Sequence, residues 1–148
     1  MTSFEIIQIL TGFVGSIGFA VLFNIRGIRL LVASLGGLLS WALFVVLSHF
    51  ISNEPVNYFI VALAVSLYAE LMARVLKTPT TTFITTSLIP LIPGSSLYYT
   101  MAYAFESNME RFLQKAIYTL QLASALALGI IVAITFTNVI NNLFRKKN

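Results

Sequence analysis

The sequence contains no cysteine, no aspartate and a single histidine. Without cysteine, disulfides, thiolate metal sites and cysteine nucleophiles are excluded. An aspartyl dyad and a zinc-binding H-E-x-x-H helix are also impossible with this residue set. No serine lies in a G-x-S-x-G turn, and no glycine-rich phosphate-binding loop is present. We therefore expect no enzyme activity, no metal site and no cofactor.

Charge is also scarce in this chain of 148 residues. Charged residues make up 9% of it and hydrophobic residues 58%, whereas soluble domains are about 25% charged. The net charge of +4 comes from short clusters between apolar stretches, and no basic patch interleaved with aromatic residues is available to bind a polynucleotide. The composition predicts an integral membrane protein surrounded by lipid bilayer, with no nucleic-acid partner.

Several apolar stretches are each long enough to cross a hydrocarbon core of about 30 Å as a helix. The residues before the first stretch include the acid Glu5 and no Lys or Arg, whereas a cleavable signal peptide has a basic start. We therefore interpret the first stretch as a retained span. We predict an all-α, polytopic membrane helix bundle with about five spans, forming one transmembrane domain over residues 1–148. The predicted spans cover residues 6–23, 30–50, 56–76, 80–104 and 112–140.

The basic residues predict the orientation, because Lys and Arg are enriched in cytoplasmic loops near the ends of spans. With five spans, Arg111 and Lys115 fall on one side of the membrane. All the other basic residues fall on the opposite side: Arg26, Arg29, Arg74, Lys77, Arg145, Lys146 and Lys147. If the fourth stretch only dipped into the membrane, the last three would be separated from the others. We therefore predict an outer amino terminus and a cytoplasmic carboxyl terminus in the cell (cytoplasmic) membrane.

The fourth predicted span contains two prolines, Pro90 and Pro93. Each lacks an amide hydrogen and clashes with the preceding turn, so an unbroken helix through both is disfavoured. Irregular backbone inside a membrane is tolerated where protein or water covers its polar groups. We predict a break at Pro90–Gly94 that lines a cavity. The alternative is a kinked, packed helix whose threonines bond back to their own carbonyls.

Beyond the break, a new half-helix is expected to begin. Gly94 permits backbone conformations that other residues avoid, and Ser95 or Ser96 is suited to cap the helix start. The free amides of such a start attract a carboxylate, and discontinuous helices commonly form transporter substrate sites. Residues 80–87, which are rich in threonine, would then form the wall of a cytoplasmic vestibule.

One acid lies firmly inside an apolar run of the third predicted span. Ser66, Glu70 and Arg74 recur every four residues and therefore share one helix face. Acids within spans tend to face a cavity or a charged partner, so Glu70 is a candidate for carrying a coupling proton. The alternative is that Glu70 lies near the inner interface and pairs with Arg74, whose side chain extends to water.

The central third of the chain resembles a known family. A run Y-A-E-L-M-A-R-V-L-K-T-P over residues 68–79 is followed by I-P-L-I-P-G over residues 89–94, with Tyr98 and Met101 beyond it. This combination is similar to the threonine/serine exporter family, and most similar to its small, separately encoded membrane subunit. The rest of the chain agrees with the family in the layout of its spans.

The resemblance implies a subunit of a secondary exporter for small carboxylate-bearing metabolites, either threonine and serine or a dicarboxylate such as succinate. It also implies a larger membrane subunit as partner, because this chain lacks the other membrane half. We expect Glu70 and Arg74 to form the coupling or ion pair. The alternative function is a non-transporting module that stabilises or regulates a partner transporter. The expected substrate-binding residues are Pro90, Pro93, Gly94, Ser95 and Tyr98.

Overall fold

The computed structural model describes residues 3–145, apart from the side chains of residues 142, 144 and 145. This part of the chain is helical with no strand, so the predicted all-α class is confirmed. Lys146 and Lys147, which contribute to the predicted orientation, lie outside the described residues. The helices are α1 (Ser3–Leu22), α2 (Ile28–Ser48), α3 (Glu54–Val75), α4 (Thr80–Leu88), α5 (Gly94–Phe105) and α6 (Met109–Arg145), with a 3-10 helix (Ile89–Leu91) between α4 and α5.

Four of the described helices are long and apolar enough to cross a membrane: α1, α2, α3 and α6 up to Asn141. They correspond to the first, second, third and fifth predicted spans. The predicted fourth span, 80–104, consists of two shorter helices, α4 and α5, joined through the 3-10 helix. Five crossings remain a prediction, since neither half alone has the length of a span.

Helix α2 runs antiparallel to both α1 and α3. Nε2 of His49, just after α2, lies 3.3 Å from Oε1 of Glu5 in the first turn of α1. The side chain of Asn57 in the first turns of α3 donates to Oγ of Ser48, the last residue of α2, at 2.8 Å. The start of α1, the end of α2 and the start of α3 therefore meet at one end of the bundle, which we call the Glu54 end. The opposite end is called the Arg74 end.

Helix α6 runs parallel to α3. Tyr118 donates a hydrogen bond to the carboxylate of Glu54 at the start of α3. Further along α6, a Cβ added to Gly129 would lie 2.7 Å from the carbonyl oxygen of Phe59. Since α3 and α6 run in the same direction, α4 and α5 must return the chain to the Glu54 end. The two ends of the described chain consequently lie at opposite ends of the bundle.

In the broken segment, α4 and the 3-10 helix that follows it are more enclosed than α5. Phe83 and Leu91 are fully buried, among alanines of α2 and α3 and among Val61 and Val65 respectively. Ser87 donates to the carbonyl oxygen of Ala33 on α2 at 3.4 Å. A Cβ at Gly36 would overlap Ser87, so this glycine allows α2 and α4 to approach closely. Small residues commonly give this close packing in membranes.

Candidate functional site

The predicted break in the fourth span is present. Helix α4 ends at Leu88, the 3-10 turn follows, and Ile92 is extended before α5 begins. Pro90 has no amide hydrogen for the carbonyl of Thr86, four residues earlier, so the α-helical pattern stops there. The amide of Ile92 instead donates to the carbonyl of Ile89 at 3.1 Å. The two prolines thus convert the middle of this segment into irregular backbone.

An open pocket of about 300 Å³ lies beside the break, and we call it the break pocket. It combines one wall from the 3-10 turn with residues of α1 and α2. No charged residue is among those lining it. Its lining residues are Gln8, Thr11, Gly12, Gly15, Trp41, Ile89 and Pro90.

Trp41 on α2, the only tryptophan in the sequence, also lines the break pocket. Nε1 of Trp41 is buried and has no hydrogen-bond partner among the described residues. Leaving a buried donor unsatisfied costs about 1–3 kcal/mol. The side-chain amide of Gln8 also lines the break pocket and can both donate and accept hydrogen bonds. The break pocket is therefore suited to a small, hydrogen-bond-accepting molecule.

A second pocket, of about 210 Å³, lies nearer the Arg74 end and is called the threonine pocket. It is lined by Phe23 and Ile25 and by three hydroxyl residues of α4: Thr81, Thr82 and Thr85. Thr81, Thr85 and Ile89 are four residues apart and lie on one face of the segment. This face leads from the threonine pocket to Ile89 in the break pocket. The predicted vestibule wall remains a prediction, and these threonines are the residues that it concerns.

The alternative prediction was a packed helix whose threonines bond to carbonyls of their own helix. One hydroxyl residue of α4 shows this bonding. Thr86 donates to the carbonyl of Thr82 in its own helix at 3.2 Å. Ser87, in contrast, bonds across to α2, while Thr81 and Thr85 are exposed. The two properties occur on different faces of α4: one face is buried and packs, and the other is exposed and carries Thr81 and Thr85.

Among the predicted substrate residues, Pro90 is the one that lines the break pocket. Pro93 precedes α5 as its N-cap and is half-buried, and Gly94, Ser95 and Tyr98 are exposed on α5. These four line neither the break pocket nor the threonine pocket. The five predicted residues therefore do not line either of these two pockets together.

Two local expectations at the start of α5 are wrong. No side chain caps the helix, because Ser95 is inside its first turn and Ser96 lies 2.8 Å from the hydroxyl of Thr119 on α6. Gly94 does not have a positive φ, and a Cβ added to it would meet nothing within 4 Å. The sequence pattern missed that Pro93 itself sets the entry to the helix, which removes the need for a special glycine conformation.

The pair predicted on α3 is formed. Nη2 of Arg74 donates to Oε2 of Glu70 at 3.4 Å. The Glu70 side chain is largely buried, while that of Arg74 is 40% exposed. Glu70 lines neither the break pocket nor the threonine pocket. The geometry shows the ion pair and leaves the coupling role as a hypothesis.

Gln8, Thr11 and Trp41 are pocket residues that sequence reasoning missed. Gln8 and Thr11 are three residues apart on one face of an otherwise apolar span, which is a signal that could have identified them. No periodicity could have shown that this face meets Pro90, because that contact depends on how α1 packs against the broken segment.

This architecture defines the class of the protein: a multi-pass helical membrane protein with a discontinuous helix, the type of arrangement on which many secondary transporters are built. Residues 8–136 match the family model described as "Threonine/Serine exporter, ThrE". The chain belongs to the threonine/serine exporter family, as its central motif predicted. No curated protein and no solved structure gives a significant match. The matched region includes every residue discussed above as a candidate site.

Proposed function

We propose that this chain is the membrane subunit of a secondary exporter that moves small carboxylate-bearing metabolites, threonine and serine or a dicarboxylate such as succinate. Membership of the exporter family supports the transport class. The observation that carries the assignment of a site is the break pocket, where Pro90 interrupts a helix beside Gln8 and Trp41. In this view the protein is a carrier and performs no enzyme chemistry.

The break pocket suits brief binding of a carboxylate. A volume of about 300 Å³ is at the lower end of small-molecule sites, and it can hold a substrate of a few heavy atoms. The indole N–H of Trp41 and the side-chain amide of Gln8 supply neutral donors. A hydrogen bond from a neutral donor to the charged carboxylate contributes about 1.5–3 kcal/mol, so two such bonds hold the substrate without an ion pair and leave it free to depart. A carrier requires this, because transport fails if the substrate is held too tightly.

The substrate would reach this pocket from the cytoplasm along α4. The exposed hydroxyls of Thr81 and Thr85 offer hydrogen bonds in the threonine pocket, one and two turns before Ile89. Glu70 and Arg74 lie toward the same end of the bundle, and we propose that Glu70 carries a coupling proton. In this orientation the Arg74 end is cytoplasmic and the amino terminus is outside the cell membrane.

The larger partner subunit would complete the site on the α5 side. Helix α5 packs against α6 and leaves Tyr98 68% exposed, with Leu97 and Met101 also exposed. Gly94 and Ser95 are open on the same half-helix. We propose that these residues, with Pro93, face the partner and form a wall shared by both subunits. Because the start of α1 and the end of α6 lie at opposite ends of the bundle, a partner of inverted topology would pair with these helices about a pseudo-two-fold axis.

Flux out of proteoliposomes tests this function. Three preparations are compared: this chain, the larger subunit, and both together, each loaded with labelled threonine, serine or succinate. Export is expected only when both are present, and Trp41→Phe, which keeps the ring and removes its N–H, should reduce it. Equal flux from the larger subunit alone would overturn the proposal and would favour the non-transporting, stabilising module instead.

A further inference from the structure

A third pocket, of about 290 Å³, lies at the Glu54 end of the bundle, between the end of α2 and the start of α3. We call it the Glu54 pocket. Its lining is richer in oxygen atoms than that of the break pocket, and it includes a carboxylate. The lining residues are Phe44, Ser48, Ile51, Ser52, Glu54 and Asn57.

Asn57 presents an unsatisfied oxygen there. The residue is 1% exposed, and its Nδ2 donates to the carbonyl oxygen of Phe44 at 3.1 Å and to Oγ of Ser48 at 2.8 Å. Because a carbonyl oxygen can only accept, this pairing determines which end of the amide is the nitrogen. Oδ1 of Asn57 is left buried with no partner among the described residues. A buried acceptor in this state needs a donor or a cation.

Glu54 supplies negative charge in the same pocket. Its Oε2 accepts the hydroxyl proton of Tyr118, but no ion pair joins it to a described basic side chain. The amine of Lys115 lies 4.9 Å from the ring centre of Tyr118, on a neighbouring residue and not on the carboxylate. A carboxylate and a residue with an unsatisfied side-chain oxygen, Glu54 and Asn57, therefore line the same pocket.

The helix ends nearby do not cancel this charge. The end of α2 contributes about half a negative charge and the start of α3 about half a positive charge, so the two offset each other and the carboxylate dominates. Carboxylate, amide and hydroxyl oxygens are ligands for hard cations. A single carboxylate balances one positive charge, which favours a monovalent occupant over a divalent one.

We propose that the Glu54 pocket binds a small monovalent cation, supplied either as Na⁺ or as the ammonium group of an amino acid. The wall residue Phe44 stacks on Trp41 with ring centroids 5.2 Å apart, and Trp41 lines the break pocket. A molecule that displaces the ring in one pocket therefore also displaces the ring that lines the other pocket. This coupling to transport rests on the proposed function, whereas the binding of the cation does not.

The single tryptophan of the chain reports on the site. Trp41 emission is measured on the purified chain, alone and with its partner, during titration with NaCl or ethylammonium chloride, with choline chloride keeping the ionic strength constant. We expect a saturable change with at least one of the two cations. Response to Na⁺ identifies an inorganic ion, and response to ethylammonium alone identifies an ammonium group. Absence of a saturable response to either overturns the proposal.

Variants connect the response to the pocket. Glu54→Gln keeps an acceptor for Tyr118 but removes the charge, and it should weaken the apparent affinity at least tenfold. The matched control is Glu110→Gln, which removes an exposed charge at the start of α6 and should leave the affinity unchanged. An unaltered affinity in Glu54→Gln would contradict the assignment.

A measurement without any variant covers the case in which Glu54→Gln does not fold. Broadening of the sodium NMR line by the wild-type chain should be reversed by ethylammonium if both cations compete for these oxygens, and no broadening with no fluorescence response refutes the site. These experiments contain no substrate gradient. A failure of cation binding is therefore distinguishable from a failure of export in proteoliposomes.

Discussion

The indole ring of Trp41 stacks on the phenyl ring of Phe44, with centroids 5.2 Å apart and planes 28° from parallel. These residues are three apart on α2, so one helix face carries both. Trp41 lines the break pocket and Phe44 lines the Glu54 pocket. The contact gives the two pockets a common wall. A change in the position of either ring must be accommodated by the other, because packed side chains have few alternative rotamers.

Trp41→Phe should weaken substrate binding while preserving the fold. A hydrogen bond to a charged group contributes about 1.5–3 kcal/mol, so we expect KM for export to rise about tenfold to a hundredfold. The measurement is substrate-dependent flux with the partner subunit present. Ser124→Ala is the control, since it removes an exposed hydroxyl that donates to Gln121 in its own helix at 3.0 Å. An unchanged KM in Trp41→Phe would place the carboxylate elsewhere.

Pro90→Ala should restore an amide donor for the carbonyl of Thr86 and extend α4 through the break. Export should fall strongly with no loss of helix content, because the irregular backbone beside the pocket is replaced by a regular turn. Flux and circular dichroism are measured together. Pro79→Ala is the matched change, since Pro79 is the N-cap of α4 and contributes no missing bond within the helix. Full export by Pro90→Ala would show that the break is dispensable.

Glu70→Gln and Arg74→Gln separate the two roles of their ion pair. Either change removes the contact at 3.4 Å, and with Arg74 partly exposed the pair contributes about 1 kcal/mol or less to stability. If Glu70 carries a coupling proton, only its variant should reduce gradient-driven export. Flux with and without an imposed pH gradient gives the comparison. Equal reductions in both variants would assign the pair a structural role.

Gly129→Ala should destabilise the contact of α6 with α3. The added Cβ would lie 2.7 Å from the carbonyl oxygen of Phe59, and overpacking of this kind costs about 1–3 kcal/mol. Gly18→Ala is the control, because nothing lies within 4 Å of its added Cβ and alanine favours a helix by up to about 1 kcal/mol. Thermal unfolding in detergent should show a lower Tm for Gly129→Ala alone, and equal Tm values would disprove the close contact.

Cysteine labelling tests the orientation, since the chain has no native cysteine. Ser107 follows α5 at the Glu54 end, Lys77 follows α3 at the Arg74 end, and both are exposed. Ser107→Cys should react with an impermeant maleimide added to intact cells, and Lys77→Cys should react only after the membrane is opened. The opposite pattern, or labelling of both from outside, would refute the predicted topology.

Local covalent properties explain why part of this structure was predictable. Proline lacks an amide hydrogen in any fold, so Pro90 and Pro93 predict a break without knowledge of their neighbours. The helical period likewise places Glu70 and Arg74 one turn apart, and long apolar stretches require helices in lipid because every backbone group must be satisfied internally. The sequence alone therefore determined the membrane class, the break, the ion pair and, through its motif, the family.

Contacts between distant segments were decided by the tertiary structure. Pro90 meets Gln8 and Trp41 because α1, α2 and the broken segment pack side by side, and no spacing along the chain encodes which faces of separate helices meet. The amide of Asn57 is oriented by two acceptors on α2, and its oxygen is unsatisfied because no described donor reaches it. The open space beside Gly94 was likewise decided by packing, since nothing lies within 4 Å of a Cβ added to it.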